Sequence, residues 1–138
     1  MKKILFAFAA IFISSLSFAQ IEGKWKTIDD ETGKPKSVVE IFKKTDGKYY
    51  GKISQLLIKP ENNNCVKCKD DRKNKPLLGL EIIRGLSKDG NEFSGGTITN
   101  PKDGKSYKTE VVREGKTLKV KAIVMGIAVK TQTWHKVD

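Results

Sequence analysis

The stretch KSYKTEVVREGKTLKVKAIV, residues 105–124, alternates apolar and polar side chains on both sides of a Glu-Gly pair. Leu118, Val120 and Ala122 share one face of its second half, and lysines occupy the positions between them. A period of two is typical of a β-strand with one buried and one solvated face. Glycine accepts the positive φ of tight hairpin turns, so the stretch predicts two antiparallel strands that meet at Gly115.

The same signature extends through residues 20–138, where strand-length runs rich in Val, Ile, Thr, Tyr and Phe alternate with glycine turns. We predict eight strands, near 22–29, 37–44, 48–58, 80–86, 92–99, 105–113, 117–124 and 128–137. Regularly spaced short strands indicate a sandwich or a barrel, and hairpin connections favour an up-and-down meander. The expected fold class is therefore all-β, an antiparallel up-and-down eight-stranded barrel that leaves no strand edge exposed.

One connection differs from these short turns. The segment 59–79 is long and polar, with three consecutive asparagines and both cysteines of the chain. A loop of this length in a small domain is usually functional or acts as a lid, and disorder is the alternative explanation. The apolar residues at 76–86 leave room for a short helix.

The N-terminal residues 1–19 have the order of features of a secretory signal peptide. Two lysines precede an apolar run, and small residues lead to a cleavage site between Ala19 and Gln20. A retained membrane anchor is the alternative, but the apolar run is much shorter than the roughly 20 residues that span a bilayer. We therefore expect an exported protein, periplasmic or secreted and soluble after cleavage, with 20–138 as a single barrel domain.

The charge balance is basic, with 27 Lys and Arg against 16 Asp and Glu. Cleavage would remove two lysines and no acid, which leaves 25 basic and 16 acidic residues and a net charge of +9. Only three of the basic residues are arginine, the usual reader of phosphates and base edges, and the lysines are spread among acidic residues. We expect no nucleic-acid partner and favour a solvated surface, with peripheral attraction to anionic membrane or polysaccharide as the other option.

Cys65 and Cys68 form the one motif in the chain that suggests a specific chemistry. Two cysteines in one loop of an exported chain predict a local disulfide. The alternative is a redox-active pair, because Lys67, Lys69 and Arg72 would favour thiolates, although the usual strand-to-helix context of such a motif is missing. A metal site is not expected, since a structural thiolate site needs four ligands and the chain has one histidine.

Counting residues removes most catalytic constellations. With one histidine and no G-x-S-x-G motif, a Ser-His-Asp triad has little support. The chain also has no P-loop, no dinucleotide fingerprint and no H-E-x-x-H motif. We expect no catalytic residues and no cofactor, so an enzyme is the less favoured class.

Three groups of residues invite a functional role but favour a structural one. Asp29 and Asp30 are adjacent, so on a strand they would face opposite ways, and we expect them to start a turn. Trp25 and Trp134 are each expected to close one end of the barrel with the indole N–H bonded, and ligand stacking is the alternative. His135 is expected at the surface or the rim.

The order of several blocks resembles a family of small exported bacterial proteins, the domain of unknown function 2147 family. The blocks are GKWKTIDD at 23–30, KSVVEI at 36–41, GKI at 51–53, the Cys65/Cys68 pair, GGTI at 95–98 with Asn100-Pro101, Gly104-Lys105 and Tyr107, and QTW at 132–134. The resemblance covers nearly all of 22–136. It departs at His135-Lys136, where a Thr-Arg ending is more usual, and this weakens the expectation that an arginine packs on the closing tryptophan.

Members of that family look like lipocalin-type β-barrels, and Gly23-Lys24-Trp25 is similar to the G-x-W start of lipocalins. The resemblance therefore implies a fold and assigns no activity. Within the shared blocks we select five candidate ligand-binding residues, which are Asp29, Asp30, Glu40, Tyr107 and Trp134.

The leading functional hypothesis is a non-enzymatic barrel that binds a small apolar or amphipathic ligand, or an envelope component. A thiol-based redox protein or sensor that uses Cys65 and Cys68 is the second hypothesis. The third is a structural or stress-protective envelope protein that its positive charge holds near anionic lipid. No oligomeric state is predicted.

Overall fold

The computed structural model describes residues 20–137, which form eight β-strands. The strands are β1 (Gly23–Ile28), β2 (Pro35–Lys43), β3 (Tyr49–Leu56), β4 (Glu81–Asp89), β5 (Glu92–Asn100), β6 (Lys105–Glu114), β7 (Thr117–Val124) and β8 (Ile127–Lys136). Every predicted strand is confirmed, with bounds within three residues of those expected. The predicted signal peptide at 1–19 lies outside the described residues.

Residues 20–137 contain no helix, so this range offers none that is long and apolar enough to cross a bilayer. The candidate helix at 76–86 is instead a turn followed by the start of β4. Its two adjacent isoleucines, Ile82 and Ile83, are both buried. Branched side chains of this kind pack well on a pleated sheet, which explains why the strand forms here.

Each strand pairs antiparallel with the next, and β1 also pairs with β8 through Trp25 and Lys136, so the sheet closes into a barrel. The predicted up-and-down topology is confirmed. The hairpins β2–β3, β4–β5 and β6–β7 lie at one end together with residues 20–22, and we call this the closed end. The opposite, open end carries the β1–β2 turn, the β3–β4 connection at 57–80, and the β5–β6 and β7–β8 turns.

Trp25 covers the interior at the closed end, as predicted for this residue. Its ring is fully buried and its Nε1–H donates to the carbonyl oxygen of Ile21 at 2.8 Å. The guanidinium of Arg113 lies 5.3 Å from the ring centroid, and Lys136 Nζ lies 5.6 Å from it. An arginine does pack on the closing tryptophan, but it comes from β6 rather than from the end of the chain.

The interior next to Trp25 is filled by side chains. Tyr49 and Phe93 meet edge to face with ring centroids 5.0 Å apart, a favourable geometry for two aromatic rings. Val39, Ile41, Leu86, Val111 and Leu118 complete this buried layer. The half of the barrel near the closed end is therefore a packed core, since interiors of this kind leave few voids.

The β3–β4 connection, predicted as a loop at 59–79, is held by its own contacts. Cys65 and Cys68 form the predicted disulfide, and both are buried together with Leu77. The connection packs against the β5–β6 turn so closely that a Cβ atom on Gly104 would lie 1.9 Å from the carbonyl oxygen of Lys67. Only glycine fits at this contact, which sets the connection at the barrel mouth.

Arg72 anchors the same connection to the barrel. It is buried, bonds to the Asp70 carboxylate through Nε and Nη2, and donates from Nη1 to the carbonyl oxygen of Glu81 at the start of β4. These hydrogen bonds from Arg72 hold the pKa of Asp70 well below its usual range. A second bidentate pair joins Asp71 to Arg84 of β4. Arg72 is thus a structural anchor and is not free to activate a thiol.

Candidate functional site

A cavity of about 650 Å³ occupies the open half of the barrel. Its inner wall is mainly aliphatic and aromatic, with Ile53, Leu56, Ile82, Ile98, Val120, Ala122 and Trp134. Charged and amide side chains line its mouth, and the buried hydroxyl groups of Thr27 and Ser37, hydrogen-bonded to each other, also line it. Pockets of this volume that combine an apolar wall with placed polar groups are typical of small-molecule sites. The barrel is therefore neither empty nor filled throughout: the core ends about halfway, and the cavity begins there.

A polar cluster lies on one wall of this cavity. The Trp134 Nε1–H donates to Gln132 Oε1 at 3.0 Å, and Gln132 Nε2 donates to Asp30 Oδ2 at 2.9 Å. Lys130 Nζ lies 2.5 Å from the same Asp30 oxygen. These four residues, Asp30, Lys130, Gln132 and Trp134, form a chain from the buried indole to the mouth, and we refer to them as the polar cluster.

The charges of the polar cluster are balanced. Partial burial raises the pKa of Asp30, but the hydrogen bonds from Lys130 and Gln132 outweigh this effect. The pKa of Asp30 therefore lies below its ordinary value. The carboxylate is thus ionised at neutral pH. Its second oxygen, Oδ1, accepts no hydrogen bond from any residue in 20–137, and the Lys130 ammonium has donors to spare. The cluster can both accept and donate hydrogen bonds to a ligand.

Four of the five residues proposed from the sequence line the cavity, and one does not. Asp30 and Trp134 belong to the polar cluster, and Asp29 and Tyr107 also line the cavity. Glu40 lies between the buried Val39 and Ile41 on β2, so it faces the outside of the barrel and does not line it. Glu40 belongs to a family-like sequence block, but the alternation of side chains along β2 turns it outward.

Asp29 has the turn role that was expected for it. Its Oδ1 accepts hydrogen bonds from the backbone N–H groups of Glu31 and Thr32, at 2.7 and 3.2 Å. Those bonds lower the pKa of Asp29. Asp30 points instead to Lys130, so the two carboxylates are not used as a pair, as the sequence predicted.

Trp134 departs from its predicted role of closing an end. It is buried at the base of the cavity and leaves the mouth open, while its indole N–H is bonded as expected. Lys130 and Gln132 were missed by the sequence reasoning. Their signal was present, because counting back from Trp134 by two along β8 gives Gln132 and then Lys130 on the same face.

The β3–β4 connection forms part of the cavity wall. Asn62, Asn64, Val66 and Lys67 of this connection all line the cavity. The disulfide lies directly beside them, since it closes the loop that contains Val66 and Lys67. A bridge of this kind fixes the backbone of this part of the wall, so the connection forms a fixed rim at the mouth of the cavity.

The chemistry of the remaining candidate groups is limited. A smaller cavity of about 400 Å³ beside Cys68 contains the Arg72–Asp70 pair, but the burial of both cysteines does not favour a redox role. Across residues 20–137, no three His, Cys, Asp or Glu side chains cluster in a way that would hold a metal ion. His135 is exposed on β8.

A closed eight-stranded up-and-down barrel with one packed end and one open cavity is the architecture of a lipocalin-like protein. The structure is similar to that of protein HP1028 from the human pathogen Helicobacter pylori, described as belonging to the lipocalin family. The two share 22% sequence identity with a TM-score of 0.74, over 86% of this chain and 84% of that one. At this identity the likeness shows the fold alone.

The sequence also identifies the family. Residues 23–136 match the model of the uncharacterized proteins conserved in bacteria (DUF2147), and the chain belongs to this family. The resemblance seen in the sequence blocks is thereby confirmed. No curated protein matches the sequence.

Proposed function

We propose that this protein binds a single-chain amphiphile in the cavity of the open end, with the apolar tail between the strands and the polar head at the polar cluster. The observation that carries the proposal is the combination of an aliphatic inner wall with the polar cluster, which runs from the buried indole of Trp134 to the mouth. Specific pockets are built in this way, because the apolar wall supplies affinity and a few placed polar groups fix the orientation.

The polar cluster indicates the chemistry of the head group. Asp30 is an acceptor with one free oxygen, and Lys130 is a donor, so a head that both donates and accepts hydrogen bonds suits them best. A purely anionic head would pair with Lys130 but repel Asp30, and a cationic head would do the reverse. Hydroxyl-bearing or zwitterionic heads satisfy both residues.

The tail would lie against Ile53, Ile82 and Val120, which face the interior above the packed core. Each CH₂ group moved from water into such a wall contributes about 0.8 kcal/mol. The buried layer around Phe93 forms the floor, so the tail enters from the mouth and does not pass through the barrel.

We further propose that the protein does this outside the cytoplasm, after removal of residues 1–19. The support is the N-terminal sequence pattern together with the disulfide, which persists in oxidising compartments. Gel migration and N-terminal sequencing of the protein from periplasmic and culture fractions test this; a full-length cytoplasmic chain contradicts it.

The binding test compares two variants in which an alanine is replaced by phenylalanine. Ala122 lines the cavity, so Ala122→Phe fills it, whereas Ala128 is exposed on β8 and does not line it, so Ala128→Phe is the matched control. Residues 20–138 of each are incubated with envelope lipid extract, and then with monolaurin as a defined amphiphile, and retained molecules are weighed by native mass spectrometry.

We expect retention of an amphiphile by the unmodified protein and by Ala128→Phe, and a loss of at least tenfold in Ala122→Phe. Circular dichroism shows whether each variant is folded. Equal retention by the two variants, or no retention from either source by the unmodified protein, would refute the proposal.

A further inference from the structure

The exposed apolar side chains of this barrel are concentrated at one end. All eight large hydrophobic residues exposed within 20–137 lie at the open end, in the β3–β4 connection or near the tip of the β7–β8 hairpin. Leu57, Ile58, Val66 and Leu78 belong to the β3–β4 connection, and Val124, Met125, Ile127 and Val129 belong to the β7–β8 hairpin. Such a concentration marks an interaction surface, whereas scattered single residues would need no explanation.

The tip of the β7–β8 hairpin is the most prominent part of this surface. Met125 is 95% exposed and Ile127 is 67% exposed. Met125 and Gly126 both have positive φ, 52° and 80°. A turn with two positive φ values favours Asn-Gly or Gly-Gly, because most side chains are strained there. The chain thus places an apolar side chain in the solvent at a position where turn chemistry favours a polar one.

The β3–β4 connection that carries the other apolar residues is basic. It contains Lys59, Lys67, Lys69, Lys73 and Lys75, all of them exposed. Among the described residues none of these lysines is in an ion pair, while both neighbouring aspartates are paired, Asp70 with Arg72 and Asp71 with Arg84. Glu61 is the one acid of the connection without an ion pair in 20–137, so five unpaired lysines against one unpaired acid leave this rim positively charged.

We propose that the open end docks on an anionic phospholipid membrane, with the β7–β8 hairpin inserted at the lipid surface and the lysines of the β3–β4 connection at the headgroups. Apolar side chains beside free lysines are the combination that binds anionic bilayers, since insertion and electrostatic attraction act together. A second copy of the chain is a poorer occupant, because two such rims would bring like charges together. This proposal goes beyond ligand binding and does not depend on it.

The first variant separates docking from folding. Met125→Asn gives the turn the residue that its positive φ favours, so we expect the variant to be at least as stable as the unmodified protein. Loss of the inserted side chain should weaken vesicle binding by about tenfold or more. Because Met125 does not line the cavity, retention of monolaurin should not change.

The second comparison tests the charge. Lys73→Gln/Lys75→Gln removes two positive charges from the open end, and Lys88→Gln/Lys116→Gln removes two exposed lysines from the closed end. Each lysine near an anionic surface strengthens binding about five- to tenfold, so replacing the open-end pair should weaken vesicle binding roughly 30-fold. The closed-end pair has the same net charge and should bind almost as well as the unmodified protein.

Binding of residues 20–138 is measured by flotation with vesicles of phosphatidylcholine alone and of phosphatidylcholine mixed with phosphatidylglycerol. The proposal predicts binding to the mixed vesicles only, weakening as salt shortens the Debye length. Three results would overturn it. These are no binding to mixed vesicles at low salt, equal losses in the two lysine pairs, or a dimer that Met125→Asn dissociates without any effect on vesicles.

Discussion

The two ends of this barrel use the same strands in opposite ways. At the closed end, Trp25 is covered by the chain before β1 and by the cations of Arg113 and Lys136, and no large apolar side chain of 20–137 is exposed there. At the open end, the core stops short, a cavity of about 650 Å³ begins, and every large exposed hydrophobic residue of that range is found. Buried packing is concentrated at one end, and the cavity and the exposed apolar side chains lie at the other.

The difference arises from the connections. Three short hairpins bring the strands together at the closed end, so side chains from neighbouring strands meet across the interior. At the open end the long β3–β4 connection lies at the mouth of the barrel. It is fixed by a disulfide, by Arg72 and by its close approach to Gly104. This arrangement holds the rim without filling the space below it.

The largest expected effect comes from replacing each of the two tryptophans with alanine. Trp25→Ala should lower the free energy of unfolding by about 3–5 kcal/mol, because it leaves a sealed void in a packed core. Trp134→Ala should cost less, since it enlarges a cavity that is already open and frees Gln132 to be solvated. Urea unfolding measures both. A larger loss for Trp134→Ala would contradict the division into a packed and an open end.

The next effect tests how the rim is positioned. Gly104→Ala combines a φ of +75° with a clash against Lys67, and should cost about 2–4 kcal/mol. Gly33 has a similar φ of +73° and no atom near its Cβ position, so Gly33→Ala, with strain alone, should cost about 1 kcal/mol. Urea unfolding of the two variants separates strain from contact. Equal costs would mean that the connection does not rest on the β5–β6 turn.

The disulfide should matter locally and to a smaller extent. Cross-linking so few residues restricts the unfolded chain by about 2 kcal/mol at most. We therefore expect reduction to leave the barrel folded and to increase amide hydrogen exchange in the β3–β4 connection, for example around Leu77. Exchange in β6 and β7 should stay slow. If reduction unfolded the whole barrel, the rim and the core would be one cooperative unit.

The smallest effect concerns Asp30 and acid. Its folded pKa is lowered, so the polar cluster contributes stability above the ordinary pKa of the carboxyl, 3.8, and that contribution is lost as the pH falls through the folded pKa. Since the side chains are about half exposed, we expect less than 1 kcal/mol. Asp30→Asn should flatten the acid limb of a stability–pH profile measured by urea unfolding.

Much of this fold could be predicted from the sequence because the evidence for it is local. Period-two alternation and Asp-Gly or Glu-Gly turns define each hairpin, and the strands formed within three residues of their predicted bounds. The local Cys65–Cys68 bridge was predictable for the same reason. Arg113 on Trp25 was not, since the contact joins β6 to β1 across the barrel.

The site was harder to predict, because a cavity is a property of the assembled interior. Asp30 and Trp134 were predicted as ligand-binding residues, but the polar cluster also needs Lys130 and Gln132. In the sequence these two look like ordinary polar residues of a solvent-exposed strand. Glu40 does not line the cavity, since a family-like block says nothing about which way a side chain faces. How far the core extends depends on the sum of packed volumes, which no local pattern contains.

If the open end binds a ligand while the closed end is sealed, the two tryptophans should report on the two ends separately. The indole N–H of Trp134 is bonded to the polar cluster at the cavity, and that of Trp25 is bonded to Ile21 at the closed end. In a ¹H–¹⁵N NMR titration of residues 20–138 with monolaurin, we predict that the Trp134 indole resonance shifts and that of Trp25 does not. Binding that shifts the Trp25 resonance as much as that of Trp134, or that shifts neither, would contradict ligand binding in the cavity of the open end.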